Sequence, residues 1–424
     1  MQQIISTFTP PKSFAQKIIL KQLAKLQHGN LIVSSGNEVL TFGNAAAPQE
    51  ISAKVSVSNI DFWHALAFRG SVGAGEAYVQ GWWTTDDLTA VVRILALNKD
   101  VLEGMDSQLV ALIRPIWKAW HWMKRNSRDG SRNNIAAHYD LGNEFFKQFL
   151  DETMMYSAAF FEHPDMTLAE ASCAKNDRLC RKIDLKPTDH LLEIGSGWGG
   201  FALHAAKKYG CKITTTTISK EQFNLATKRI SDAGLQDKVT VLLKDYRDLE
   251  GTYDKLVSIE MIEAVGNAFY EDYFAACSRL LKPDGIAAIQ AITISDKQFR
   301  SALRNVDFIQ KYIFPGSCIP SVTRLLNAAT AASDLKIYDL EDITAHYAKT
   351  LKLWRQNFTK NRIKIKNLGL SDEFLRMWEF YFCYCEGGFH EKTIGDVQII
   401  FTKPMYRKNN PNVRHDPTAL EHLI

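Results

Sequence analysis

Between residues 185 and 295 short apolar runs alternate with helical patterns, and few architectures accept such an alternation. The runs are Leu191–Ile194, Ile213–Ile218, Val239–Leu243, Lys255–Ile259 and Ile286–Ile292. Helical patterns near 200–209, 219–233 and 269–281 separate them. This is the grammar of an α/β chain with a doubly wound parallel sheet and helices on both faces. The turn Lys282-Pro283-Asp284-Gly285 marks a sharp entry into the last of these strands.

The first of these strands ends Leu191-Leu192-Glu193-Ile194 and breaks into Gly195-Ser196-Gly197-Trp198-Gly199-Gly200, with a helix straight after. Such glycines let the backbone approach a ligand at the carboxyl edge of the sheet, where open α/β folds bind them. A dinucleotide would ask for GxGxxG and an acid closing the second strand. Here the spacing is GxGxG after Glu-Ile, and the second strand closes Thr214-Thr215-Thr216-Thr217-Ile218-Ser219 without an acid. The pattern therefore favours a methyltransferase with a sulfonium donor. A purely structural turn needs one or two glycines, not four.

The formal charge of +4 is too small to argue for nucleic acid, and 46% apolar with 23% charged residues is enough for ordinary cores. Seven cysteines, at spacings that match no zinc pattern, predict a reduced intracellular protein without a metal. The N-terminus has no continuous apolar segment, and no spanning helix is expected, so any contact with lipid is at a membrane surface. Residues 1–110 read as a small α+β N-terminal domain, with a strand near Lys54–Ser58 and a glycine-punctuated stretch from Gly70 to Trp83. Residues 111–134 form a basic-aromatic linker carrying Trp117, Trp120 and Trp122 among lysines and arginines. A catalytic domain is expected over 135–405 and a polar tail over 406–424.

More specific segments surround the glycine loop. They include Ala137-His138-Tyr139-Asp140-Leu141-Gly142-Asn143, Met155-Tyr156-Ser157, Lys244-Asp245-Tyr246, Met261-Ile262-Glu263, Lys311-Tyr312-Ile313-Phe314-Pro315 and Tyr381–Phe389. Together they resemble the cyclopropane-fatty-acyl-phospholipid synthase family, which includes the mycolic acid cyclopropane synthases, over roughly residues 55–405. The resemblance implies a Rossmann-like class I methyltransferase sheet with helical insertions and S-adenosylmethionine as donor. It implies methyl transfer to the double bond of an unsaturated phospholipid acyl chain, giving a cyclopropane or a methyl- or methylene-modified chain. Gly195 and Gly197 would then line the methionine part of the donor, next to Glu193. Thr217 and Gln222 would read the ribose, and Asp245 and Tyr246 the adenine. Tyr156 and Ser157 would close over the methionine end, with Tyr139 nearby.

The family is taken to use a bicarbonate ion as base. By resemblance, Glu263 would orient that ion, with Tyr347 and the backbone of Ile292. Three positions depart from the pattern: Ala158 replaces a cysteine, Gln290 a histidine, and Ala264 a frequent histidine. Alanine offers no donor and glutamine no titrating ring, so the ion should be held less firmly. Methyl transfer is thus the safer expectation and ring closure the less safe. Cys385 matches a family cysteine, although alkene methylation needs no thiolate. The tryptophan cluster at 117–122 and the basic stretch Arg355, Lys360, Arg362, Lys364 and Lys366 have the composition of a membrane-surface contact. These readings place the enzyme in the cytoplasm, peripheral on the inner membrane surface, and are compatible with a homodimer. A methyltransferase for a small soluble acceptor and a catalytically impaired lipid-binding homologue remain the alternatives.

Overall fold

The computed structural model describes residues 13–43, 51–99 and 141–408. Tyr139 and the linker 111–134 lie outside the described residues. Two compact units divide the chain.

The first unit takes the described residues up to 99 together with Gly369–Glu391. Its sheet has the order β2 (Glu38–Gly43), β1 (Asn30–Ser35), β3 (Ser52–Val57), β4 (Trp83–Thr85). The glycine-punctuated stretch begins as the second half of the helix Asp61–Val79, which is kinked at Gly70, where φ is 52°. A Cβ on Gly73 would lie 2.0 Å from the carbonyl oxygen of Ala65, so only glycine lets the two halves of that helix meet. The helix Asp372–His390 packs on Asp61–Val79 and on Leu88–Leu97. Sequence reading gave this helix to the catalytic domain. Its buried Trp378, Tyr381, Phe382 and Phe389 instead complete the core of the N-terminal unit.

The second unit holds a seven-stranded sheet in the order β10-β11-β9-β8-β5-β6-β7. The five strands read from sequence are all present: β5 (His190–Ile194), β6 (Lys212–Thr217), β7 (Val239–Leu243), β8 (Tyr253–Ile259) and β9 (Leu281–Ile294). They pair in parallel. β11 (Ile394–Thr402) runs antiparallel between β9 and β10 (Lys336–Asp342). Sequence reading missed β10, an edge strand with weak apolar alternation. One apolar core fills each face, around Leu192, Leu256 and Ile289 on one side and Leu191, Val257 and Ala288 on the other. Alternate residues of the same strands supply both, which is why these runs are continuously apolar. β5 pairs with β6 on one side and β8 on the other, so strand order reverses there. The carboxyl ends of β5 and β8 therefore border the crevice that such sheets use for ligands.

Candidate active site

The chain leaves β5 directly into the glycine loop. The amides of Gly195 and Ser196 donate to the carbonyl of Thr216 (3.0 and 2.9 Å), pinning the turn against β6. Gly197 has φ 47°, and a Cβ there would meet nothing within 4 Å, so its backbone is open to a ligand. Gly200 opens the helix Gly200–Tyr209, and a Cβ on it would lie 2.5 Å from the carbonyl of Thr153. Thr217 and Gln222 are brought together: the threonine hydroxyl donates to Gln222 Oε1 (2.8 Å) at the end of β6. Asp245 and Tyr246 stand just past β7, where Arg247 holds the Asp245 carboxylate through Nε (2.9 Å) and Nη2 (2.6 Å). Glu193 is buried and accepts from the Thr215 hydroxyl (2.5 Å); burial pushes its pKa up to about 8, against the pull of that bond and of Lys175. The open glycine backbone with flanking hydroxyls, amide and carboxylates fits the sulfonium donor inferred from sequence.

An aromatic wall runs away from this edge. Trp198 packs on Phe146 (4.8 Å between ring centres), and Phe146 on Tyr156 (5.6 Å). Tyr156 then meets Trp354 (5.2 Å) and Phe314 (6.2 Å), and Trp354 meets Tyr347 (6.1 Å). Asn143 ties the start of the wall to the loop: it accepts from the Trp198 indole (2.6 Å) and donates to Glu221 (3.3 Å). Such faces tolerate a nearby cation.

At the far end of the wall lies a buried polar cluster. Glu263 accepts from the backbone amide of Ile292, two groups that sequence reading had each turned toward a bound ion rather than toward one another. Its second oxygen is buried without a partner, and burial followed by the charge of Glu260 pushes its pKa up to about 8. Gln290 donates to Glu260 (2.7 Å) and Asp396 (3.2 Å) and accepts from Gln398 (3.1 Å). Tyr347 donates to Glu260 (2.6 Å), as does the amide of Ala158 (2.8 Å). The segment around Ala158 hangs on the helix Thr344–Lys360: the Ala159 amide donates to Thr350 and the Phe161 amide to His346, both at 3.1 Å. Lys175 donates to Ser157 (2.9 Å); burial lowers its pKa to about 8 despite Glu260, Asp396 and Glu193 nearby. Burial, then the charges of Glu260 and Glu263, raises Asp396 well above the usual carboxylate range.

Glu263, Gln290, Ile292 and Tyr347 thus converge. Cys385 is half-buried on the helix Asp372–His390 of the first unit. Sequence reading missed Glu260, Asp396 and Lys175. A signal for Glu260 existed, since Glu260 and Glu263 stand three residues apart just past β8.

Residues 126–399 match the family described as mycolic acid cyclopropane synthetase. The chain is 42% identical over 328 residues to the tuberculostearic acid methyltransferase of Mycobacterium tuberculosis, covering 76% of each. It is 35% identical to the cyclopropane-fatty-acyl-phospholipid synthase of Escherichia coli, over 87% of this chain and 92% of that one. A solved mycolic acid cyclopropane synthase, complexed with SAH and CTAB, superposes with a TM-score of 0.60 at 31% identity, over 64% of this chain and 98% of the other.

Proposed function

The chain belongs to the mycolic acid cyclopropane synthetase family, and from that membership we propose that it methylates the double bond of an unsaturated fatty acyl chain of a phospholipid. The observation that carries the reading is the aromatic wall joining the glycine loop to a buried carboxylate cluster. S-adenosylmethionine, when bound, supplies an activated methyl group on a positively charged sulfur. The alkene's attack on that methyl leaves a cation on the acyl chain, which must be kept from water until it loses a proton. Tyr156, Phe314 and Trp354 offer it ring faces, and the cluster beyond offers a carboxylate.

We read the product as a methyl- or methylene-modified chain rather than a ring. Support comes from Ala158 and Gln290, which remove a thiol and an imidazole from the family's pattern, and from the 42% identity to a tuberculostearic acid methyltransferase. The substrate is met at a membrane surface. No helix among the described residues is long and apolar enough to cross a bilayer. Between Asp342 and Asp372 there is no acid but seven lysines and arginines, and Ile363 among them is 76% exposed. Such a strip suits anionic headgroups. Incubation with methyl-labelled donor and vesicles of unsaturated phospholipid, followed by mass spectrometry and proton NMR of the released acyl chains, tests the reading. Label in a branched or methylene-bearing chain is expected; label in a cyclopropane would overturn the product, and label only in small soluble amines the substrate.

A further inference from the structure

The cluster does not fit a separately bound bicarbonate, and we propose that Glu260 is the enzyme's own base, taking the proton that the methylated acyl chain gives up. The inference rests on the methyl transfer proposed above. Three groups are placed to hold an anion: the amide of Ala158, the side-chain amide of Gln290 and the hydroxyl of Tyr347. All three point at the two oxygens of Glu260, at 2.8, 2.7 and 2.6 Å. The remaining donor, the amide of Ile292, is taken by Glu263. A carboxylate presents the same planar pair of oxygens as bicarbonate, so Glu260 occupies the anion's position with a tethered equivalent. A second anion beside it would find these four donors taken and a like charge for a neighbour.

The backbone agrees. Glu260 has φ 47°, a left-handed conformation that a side chain of this size rarely adopts. Its amide donates to the carbonyl of Gln290 (2.8 Å), so backbone and side chain are fixed from the same residue of β9. Glu260 is only half-buried, as are Gly195, Gly197, Tyr156 and Phe314, although the strands beneath are closed to solvent. Glu263 and Asp396 each keep one buried oxygen without a partner. Burial raises the pKa of Glu260, as a base for this step needs, while the bonds from Tyr347, Ala158 and Gln290 and the charge of Lys175 pull it back down.

The step balances as follows. The alkene's π pair forms the new carbon–carbon bond to the methyl, and the carbon–sulfur bond breaks with its pair left on sulfur. A C–H bond beside the cation, or after a hydride shift one on the new methyl, then breaks. Its electron pair quenches the cation and the proton passes to a Glu260 oxygen, from which it exchanges with water after the product leaves.

The test uses the full chain, Glu260→Gln and Glu260→Gly; glycine accepts the left-handed backbone and leaves room for a free anion. Turnover on unsaturated phospholipid vesicles is measured in carbonate-free buffer and with added bicarbonate, and binding of carbon-13 bicarbonate is followed by NMR. Donor affinity, by calorimetry, checks folding. We expect a wild type indifferent to bicarbonate that binds none, and turnover lower by about a hundred- to ten-thousand-fold in Glu260→Gln with donor affinity kept. In Glu260→Gly, bicarbonate should bind and restore part of the rate. A wild type that slows when carbonate is removed, or that binds bicarbonate, overturns the proposal, as does near-normal turnover in Glu260→Gln. A wild type inactive on every vesicle would instead sink the methyl-transfer reading, while the binding measurement still judges Glu260.

Discussion

The donor edge and the carboxylate cluster, at opposite ends of one aromatic wall, are built in opposite ways. The edge is mostly consecutive chain, Glu193 to Gly200, with a few residues from the ends of β6 and β7. The cluster draws on separate segments: Ala158, Glu260 with Glu263, Gln290 with Ile292, Tyr347 and Asp396. Ala158 and Gln290 look like losses when each is matched alone, yet both direct their hydrogen bonds to Glu260.

That contrast predicts which measurement each substitution moves. Tyr347→Phe removes one donor from an ionised carboxylate, a bond worth about 1.5–3 kcal/mol, so turnover should fall roughly ten- to a hundredfold. Donor affinity should stay put, and a matching drop in affinity would mean that the two ends are not separable. Gly200→Leu should act the other way. Its first side-chain carbon already overlaps the Thr153 carbonyl, so overpacking should cost about 1–3 kcal/mol of stability, read by urea unfolding, together with donor affinity. An unchanged calorimetric titration would refute the close packing.

Glu193 gives a smaller effect with a definite sign. Its pKa stands at about 8 in the folded chain against an ordinary 4.5. The native state therefore holds this proton more tightly. The resulting stability is complete below about pH 4.5 and is lost as pH rises to about 8. Melting temperatures across that window should fall less steeply in Glu193→Gln than in the wild type, and parallel slopes would show that Glu193 ionises normally. The smallest effect is expected for Cys385→Ser: methyl transfer to an alkene needs no thiolate, so turnover should be unchanged, and a large loss would place this cysteine in the catalytic set.

The sheet was legible because its strands are buried on both faces and punctuated by helices, which leaves a strong one-dimensional pattern. The glycine loop was legible because backbone approach demands glycine in consecutive positions. β10 escaped because an edge strand carries little apolar signal, and the unit to which the helix Asp372–His390 belongs escaped because its partners stand about 300 residues earlier. Glu260 escaped for a different reason. A glutamate at a strand end is unremarkable in one dimension, and only the fold brings Ala158, Gln290 and Tyr347 around it.

The bond from Trp198 to Asn143 has a consequence for how the two substrates sense each other. The glycine loop proposed to take the donor and the helix Asn143–Phe146 that begins the aromatic wall share one indole proton. Ordering either steadies the other, and the coupling must be reciprocal: whatever donor binding contributes to seating the lipid, lipid binding returns in donor affinity.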